Sequence, residues 1–307
     1  MGALGLRRVI YALAALESPR AFAHDVDEAQ PIAAQLDLHW SYEPWVIACL
    51  ALSMAAYAIG LTLLWKQAGR GRGIATRQAL SFLGGWLLLV VALVSPLDGL
   101  GSQLFSAHML QHELLMVVVA PLLVLGRPLA AWAWALPHGW RRRVGGAFHH
   151  PAWRSPWKWI TAPLGAWLIH ACALWLWHVP AWFEAALADK AVHTAQHVAF
   201  LFSALLFWWA ALGASTRPAQ GIALLYFFTT MLHTGALGAL LTLSPVAWYP
   251  SYFATTTALG WSGLEDQQLG GLVMWVPAGL AYLAAGLALT ARLLRWPRST
   301  RGGATAL

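Results

Sequence analysis

Two pairs of histidines, His108/His112 and His193/His197, are each spaced four residues apart in a chain that is otherwise strongly apolar. Residues four apart share one face of an α-helix, so each pair can present two imidazoles to one object. Both pairs carry the same pattern, HMLQH and HTAQH, and both open apolar runs, 85 residues apart. Ionisable side chains at membrane depth are costly and commonly functional. Neutral imidazole suits copper, zinc, iron and nickel, and thioether sulfur favours Cu(I). Met109 and Met231 lie near His112 and His233 in sequence, and Met116 lies one turn below His112. A site that mixes His with Met, lacks thiolate and faces an oxidising outer compartment fits copper best. Glu113, Asp266 and Gln267, near the outer mouth, are the expected acceptors that orient the imidazoles.

Other chemistries fit less well. HMLQHE is neither H-E-x-x-H nor H-x-x-E-H, so zinc proteolysis is not indicated. Lysine occurs only at Lys66, Lys158 and Lys190, none at membrane depth, which excludes a retinal Schiff base. Cys49 and Cys172 stand alone inside apolar runs, with no paired-thiol spacing, so they read as packing residues. A bis-histidine haem stays open, since two facing helices can hold iron through one His each. So does a metal-free scaffold whose histidines bridge helices.

The elements that must position these residues are membrane helices. Hydrophobic residues make up 59% of the chain and charged ones 10%, against about 25% charged in a soluble domain. The 307 residues leave room for about seven spans of ~20 residues. Apolar runs occur near 44–65, 79–95, 104–126, 157–178, 193–213, 220–243 and 270–292. The expected fold is therefore an all-α integral membrane protein with seven transmembrane helices. Many of the 20 tryptophans lie near run ends, as an interfacial belt requires.

A net charge of +7 could attract nucleic acid, but the basic residues sit between the apolar runs and read as topology signals. With the N-terminus outside, 15 of the 19 basic residues fall on inner connections or the C-terminal tail. The predicted orientation is N-terminus outside and C-terminus inside. Residues 1–23 resemble a signal peptide, with basic MGALGLRR, a short apolar VIYALAAL and an A-x-A site at Ala21–Ala23. Residues 24–43 read as an exported acidic lead-in, 44–295 as the membrane domain and 296–307 as a basic cytoplasmic tail. The inner loop near 127–156 should lie along the membrane surface, where Arg141, Arg142 and Arg143 suit anionic lipid headgroups.

With sides assigned, His108, His112, His170, His178, His193, His197 and His233 belong to spans three to six. At about 1.5 Å of rise per residue, all of them fall in the outer half of the bilayer.

Several blocks together resemble the polytopic CtaG family. They are SPLD at Ser95–Asp98, FSAHMLQH at Phe105–His112, APLLVLGRP at Ala120–Pro128 and WLWHVP at Trp175–Pro180. HTAQH with the following FLFSALLFWW, and DQQLGGLVMW at Asp266–Trp275, extend the match. A looser likeness is to the copper-resistance CopD membrane proteins. The resemblance implies a seven-span protein of a bacterial cytoplasmic membrane, linked to cytochrome c oxidase assembly through copper supply. It implies functional roles for His108, Met109, His112, His178, His193, His197, His233, Asp266 and Gln267. The combined expectation is a non-enzymatic assembly factor for a haem–copper oxidase. It would take Cu(I) from an outer-side donor, hold it with these His and Met residues and His170, and pass it to an oxidase subunit. Glu113, Met231, Asp266 and Gln267 would support the ligands.

Overall fold

The computed structural model describes residues 36, 38–213 and 216–295. The signal-like segment, most of the acidic lead-in and the basic tail lie outside the described residues. Every regular element among the described residues is helical.

Helix α1, Pro44–Ala68, begins with proline at its first position and ends on Gly69, whose φ of 92° is the left-handed conformation that glycine adopts without strain. Helix α2, Thr76–Val94, stops at Ser95, and that residue opens the short helix α3, Pro96–Gly101. Ser95 Oγ accepts from Leu97 N at 3.2 Å. SPLD is thus a corner: a serine cap, a proline at the first helical position and Asp98 in the first turn.

The central element follows. Helix α4, Phe105–Glu113, widens into a π-helical turn, Leu114–Val119, and continues as α5, Ala120–Leu125. Pro121 offers no N–H to the carbonyl one turn earlier and would crowd it, and the widened turn before it relieves that clash. The indole of Trp208 donates to Met116 O at 2.9 Å, and Ser81 Oγ donates to Leu122 O at 2.9 Å, so carbonyls of this stretch find partners from other helices.

After Arg127, whose φ is 54°, α6 spans Pro128–Ala135 and packs on α1. Helices α7, His138–His149, and α8, Pro151–Thr161, have no buried residue. Helix α9, Pro163–Trp177, leads through α10, Pro180–Ala188, to α11, Lys190–Leu212, whose first N–H groups are capped by Asp189. Helix α12 is Arg217–Leu243. The next connection contains a 3₁₀ turn at Pro250–Tyr252 and α13, Phe253–Ala258, and α14 spans Gly263–Leu294. Ser262 and Glu265 form a capping box at its start.

Among the described residues, six helices are long and apolar enough to cross a membrane. The span expected near 157–178 is instead two helices, α8 and α9, meeting at 69°, so the described residues hold seven crossings only if that bent pair is one. Pro163 explains the break: it starts α9 and disfavours helical backbone at Ala162, which is extended at ψ 148°. The outer surface is apolar as well as the interior, with Leu52, Leu80, Leu164, Leu225, Leu232 and Leu243 all exposed, as lipid contact requires.

Two packed cores flank the central helix. Phe105, Met109, Met116 and Ala120 join a large core with α9, α11, α12 and α14, while Leu115, Val119 and Leu123 join a smaller one with α1, α2 and α6. In the Phe105–Leu125 helix 61% of the most apolar stretch is buried, against 17% in α1. The helix that carries His108 and His112 is therefore the axis of the bundle.

Candidate metal centre

Positioning of α4 begins at its N-terminus. Asp266 of α14 accepts from Phe105 N at 2.6 Å, Ser106 N at 3.2 Å and Ser106 Oγ at 2.5 Å. A carboxylate here satisfies orphan N–H groups and complements the helix dipole. One turn further along α14, a Cβ on Gly270 would lie 2.3 Å from Phe105 Cδ1 and 3.2 Å from Met109 Cγ. Glycine therefore lets α14 lie directly against α4. Gln267 accepts from Trp248 N at 2.5 Å and donates to Leu241 O and Val246 O, both at 3.3 Å. Asp266 thus bonds to the backbone and a side chain at the start of α4, and Gln267 to backbone groups around the connection before α14.

The two histidine pairs meet. Ring centroids are 4.3 Å apart for His108–His112 on α4 and 4.2 Å for His193–His197 on α11. Across the helices they are 5.4 Å for His108–His193, 5.2 Å for His112–His197 and 6.1 Å for His108–His197. The rings thus form a quadrilateral with one pair from each helix. Donor atoms of His108, His112 and His197 all lie within 4.8 Å of one another, as do those of Asp98, His193 and His197. Imidazole nitrogens bound to one ion at ~2.0–2.1 Å are about 3.4 Å apart in a tetrahedral shell, so a small inward movement of these side chains suffices to close either set on a cation.

Backbone carbonyls lie within hydrogen-bond reach of two of the rings. His108 Nδ1 is 3.1 Å from Gly101 O, and His178 Nδ1 is 2.7 Å from Leu174 O. A proton held on Nδ1 by a carbonyl leaves the Nε2 lone pair available, the usual arrangement of a metal-bound histidine. Tyr252 also donates to Gly101 O, at 2.9 Å, with its oxygen 3.2 Å from His108 Nδ1. Burial, reinforced by nearby Asp266, pushes this phenol well above its ordinary range, so it stays a neutral donor.

Other polar atoms in this region are orphans. Both nitrogens of His112 and the Nε2 atoms of His178, His193 and His197 are buried without a hydrogen-bond partner. A buried polar atom left without a partner costs about 1–3 kcal/mol. A bound cation would satisfy several of these lone pairs at once. The donor set therefore fits a metal ion.

His178 sits apart from the quadrilateral, behind an aromatic collar. Phe183 packs against both His108 (5.0 Å) and His178 (6.3 Å), and Phe200 against both His112 (4.5 Å) and His178 (5.9 Å). His170 bonds to Ser203 Oγ at 3.0 Å, tying α9 to α11. His233 stands edge-on to Trp167, with centroids 5.4 Å apart. Met109 and Met116 are buried in the large core, and Met231 packs against its edge. Glu113 is buried with Oε2 unpartnered.

Sequence reasoning passed over three residues near the rings. Asp98 shares a ligand set with His193 and His197. Gln111 donates to Asp98 Oδ1 at 2.9 Å and to Ala92 O at 2.8 Å, joining the SPLD corner to α4. Gln196 Oε1 lies 3.4 Å from His108 Nε2. The shared Gln of the two HxxQH patterns was the available signal for the last two.

The chain is 25% identical over 280 residues to uncharacterized proteins of Mycobacterium bovis and Mycobacterium tuberculosis, covering 88% of this chain and 41% of each relative. It is 23% identical over 268 residues to an uncharacterized protein of Mycobacterium leprae, covering 84% of this chain and 40% of that one. The chain thus spans about two fifths of the length of these relatives. No solved structure matches it. Residues 55–296, most of the chain and all of the histidine site, match the family described as cytochrome c oxidase caa3 assembly factor (Caa3_CtaG). This multi-pass helical protein therefore belongs to the Caa3_CtaG family of oxidase assembly factors.

Proposed function

We propose that the protein is a carrier that binds copper as Cu(I) and delivers it to a haem–copper cytochrome c oxidase during assembly. The observation that carries this reading is the convergence of four imidazoles from α4 and α11 with buried, unpartnered nitrogens. The set His108, His112 and His197 contains no charged ligand. In a low-dielectric site such a set favours a monovalent over a divalent cation, because less charge is left uncompensated. Imidazole is also a good copper ligand.

The distribution of Lys and Arg supports seven crossings with the N-terminus outside and the C-terminus inside. In that orientation the histidines lie in the outer half of a bacterial cytoplasmic membrane. Copper would arrive from an outer-side donor and leave laterally towards an oxidase subunit. The task is ligand exchange, so the protein is read as a carrier and not an enzyme.

The test is oxidase composition in a host that depends on this protein. His112→Ala/His197→Ala should accumulate in membranes at the wild-type level, yet yield oxidase with normal haem and less than about a third of its copper. Oxidase with full copper would contradict the carrier role and favour a metal-free scaffold.

A further inference from the structure

Two ligand sets share one histidine, and they differ in setting. Asp98, His193 and His197 all line a cavity of about 680 Å³ bounded by α1, α2 and α11. His108 and His112, which complete the other set, are 1% exposed and do not line it. The cavity's charged residues are Asp98, Glu43 and Lys190. Lys190 Nζ pairs with Glu43 Oε1 at 2.8 Å and also feels the Asp98 carboxylate, so two carboxylates face one ammonium and the cavity carries a net negative charge. The hydrogen-bond partner of Asp98, Gln111, is neutral. A net negative charge in a low-dielectric cleft favours entry of a cation.

We propose that the centre has two stations, an entry station of Asp98, His193 and His197 and a holding station of His108, His112 and His197. This rests on the copper reading above and adds a direction and an order to it. A Cu(I) ion reaching the cavity first binds the carboxylate and the two α11 imidazoles. It then gives up Asp98 and His193 for His108 and His112, with His197 common to both sets. Ligands are exchanged one for another and no electron or proton need move. The entry station, with one carboxylate, neutralises the monovalent ion as it leaves water. The holding station binds it through neutral nitrogens, two of them on the fully buried His108 and His112.

The experiment uses full-length protein in lipid nanodiscs, kept anaerobic, with Cu(I) supplied from a chromophoric chelator. Both the rate of transfer and the amount retained at equilibrium are read. Asp98→Asn keeps an oxygen for Gln111 and so leaves the corner intact. It should slow uptake at least tenfold while retaining copper within twofold of wild type, and His193→Gln should behave alike. His112→Ala should take up copper at near the wild-type rate and lose it at least tenfold faster. Uptake unchanged by Asp98→Asn, or equilibrium loss in Asp98→Asn as large as in His112→Ala, would overturn the two-station arrangement and leave a single site. No retained copper in wild type would overturn the copper reading itself.

Discussion

At the scale of single residues, the seven histidines predicted inside the membrane divide into different kinds. Four form one cluster because two i, i+4 pairs lie on facing helices. His170 has its own partner, Ser203 Oγ at 3.0 Å, whose hydroxyl in turn donates to Phe200 O at 3.1 Å. That chain of bonds ties helices together, and such bonds average ~0.6 kcal/mol within membranes. His170→Ala is therefore expected to lower the thermal midpoint in detergent by a few degrees and to leave copper content unchanged. Loss of copper on that substitution would move His170 into the ligand set. The pairs were legible from sequence because helical geometry alone relates residues four apart. Asp98 was not, because its relation to His193 and His197 depends on how α3 packs against α11 and not on any spacing along the chain.

Helices and corners place these residues. The Phe105–Leu125 helix can be the axis of the bundle because its two faces serve two cores, and because the π turn lets it continue past Pro121. Its start is held from outside by Asp266 through three bonds. Asp266→Ala should cost about 1–2 kcal/mol, the upper range for loss of a helix cap, seen as a lower denaturation midpoint. It should also weaken copper retention, since His108 and His112 sit in the first turns of that helix. Full stability in this variant would show that α4 needs no cap from α14. The apolar runs revealed most helices, since hydropathy depends on composition alone. The bend at Ala162 escaped notice because a window average does not register direction, although Pro163 marked the place. Asp266 and Gln267 hold the start of α4 and the connection before α14.

For the whole molecule, the lopsided charge distribution and the apolar exterior describe a protein embedded in lipid. Membership of the Caa3_CtaG family is what supports the proposal that this architecture serves oxidase assembly. The buried polar residues His108, Gln111 and His112 of α4 and Gln196 of α11 converge beside a cavity bounded by α1, α2 and α11. The central claim is that this convergence holds copper, and the most direct test is metal content. Detergent-purified protein, loaded anaerobically with Cu(I) and desalted, should retain about one copper per chain. The His112→Ala/His197→Ala variant, equally monodisperse, should retain less than about a tenth of that. Equal copper in the two proteins, or none in either, would contradict the account and leave the paired histidines as contacts between helices.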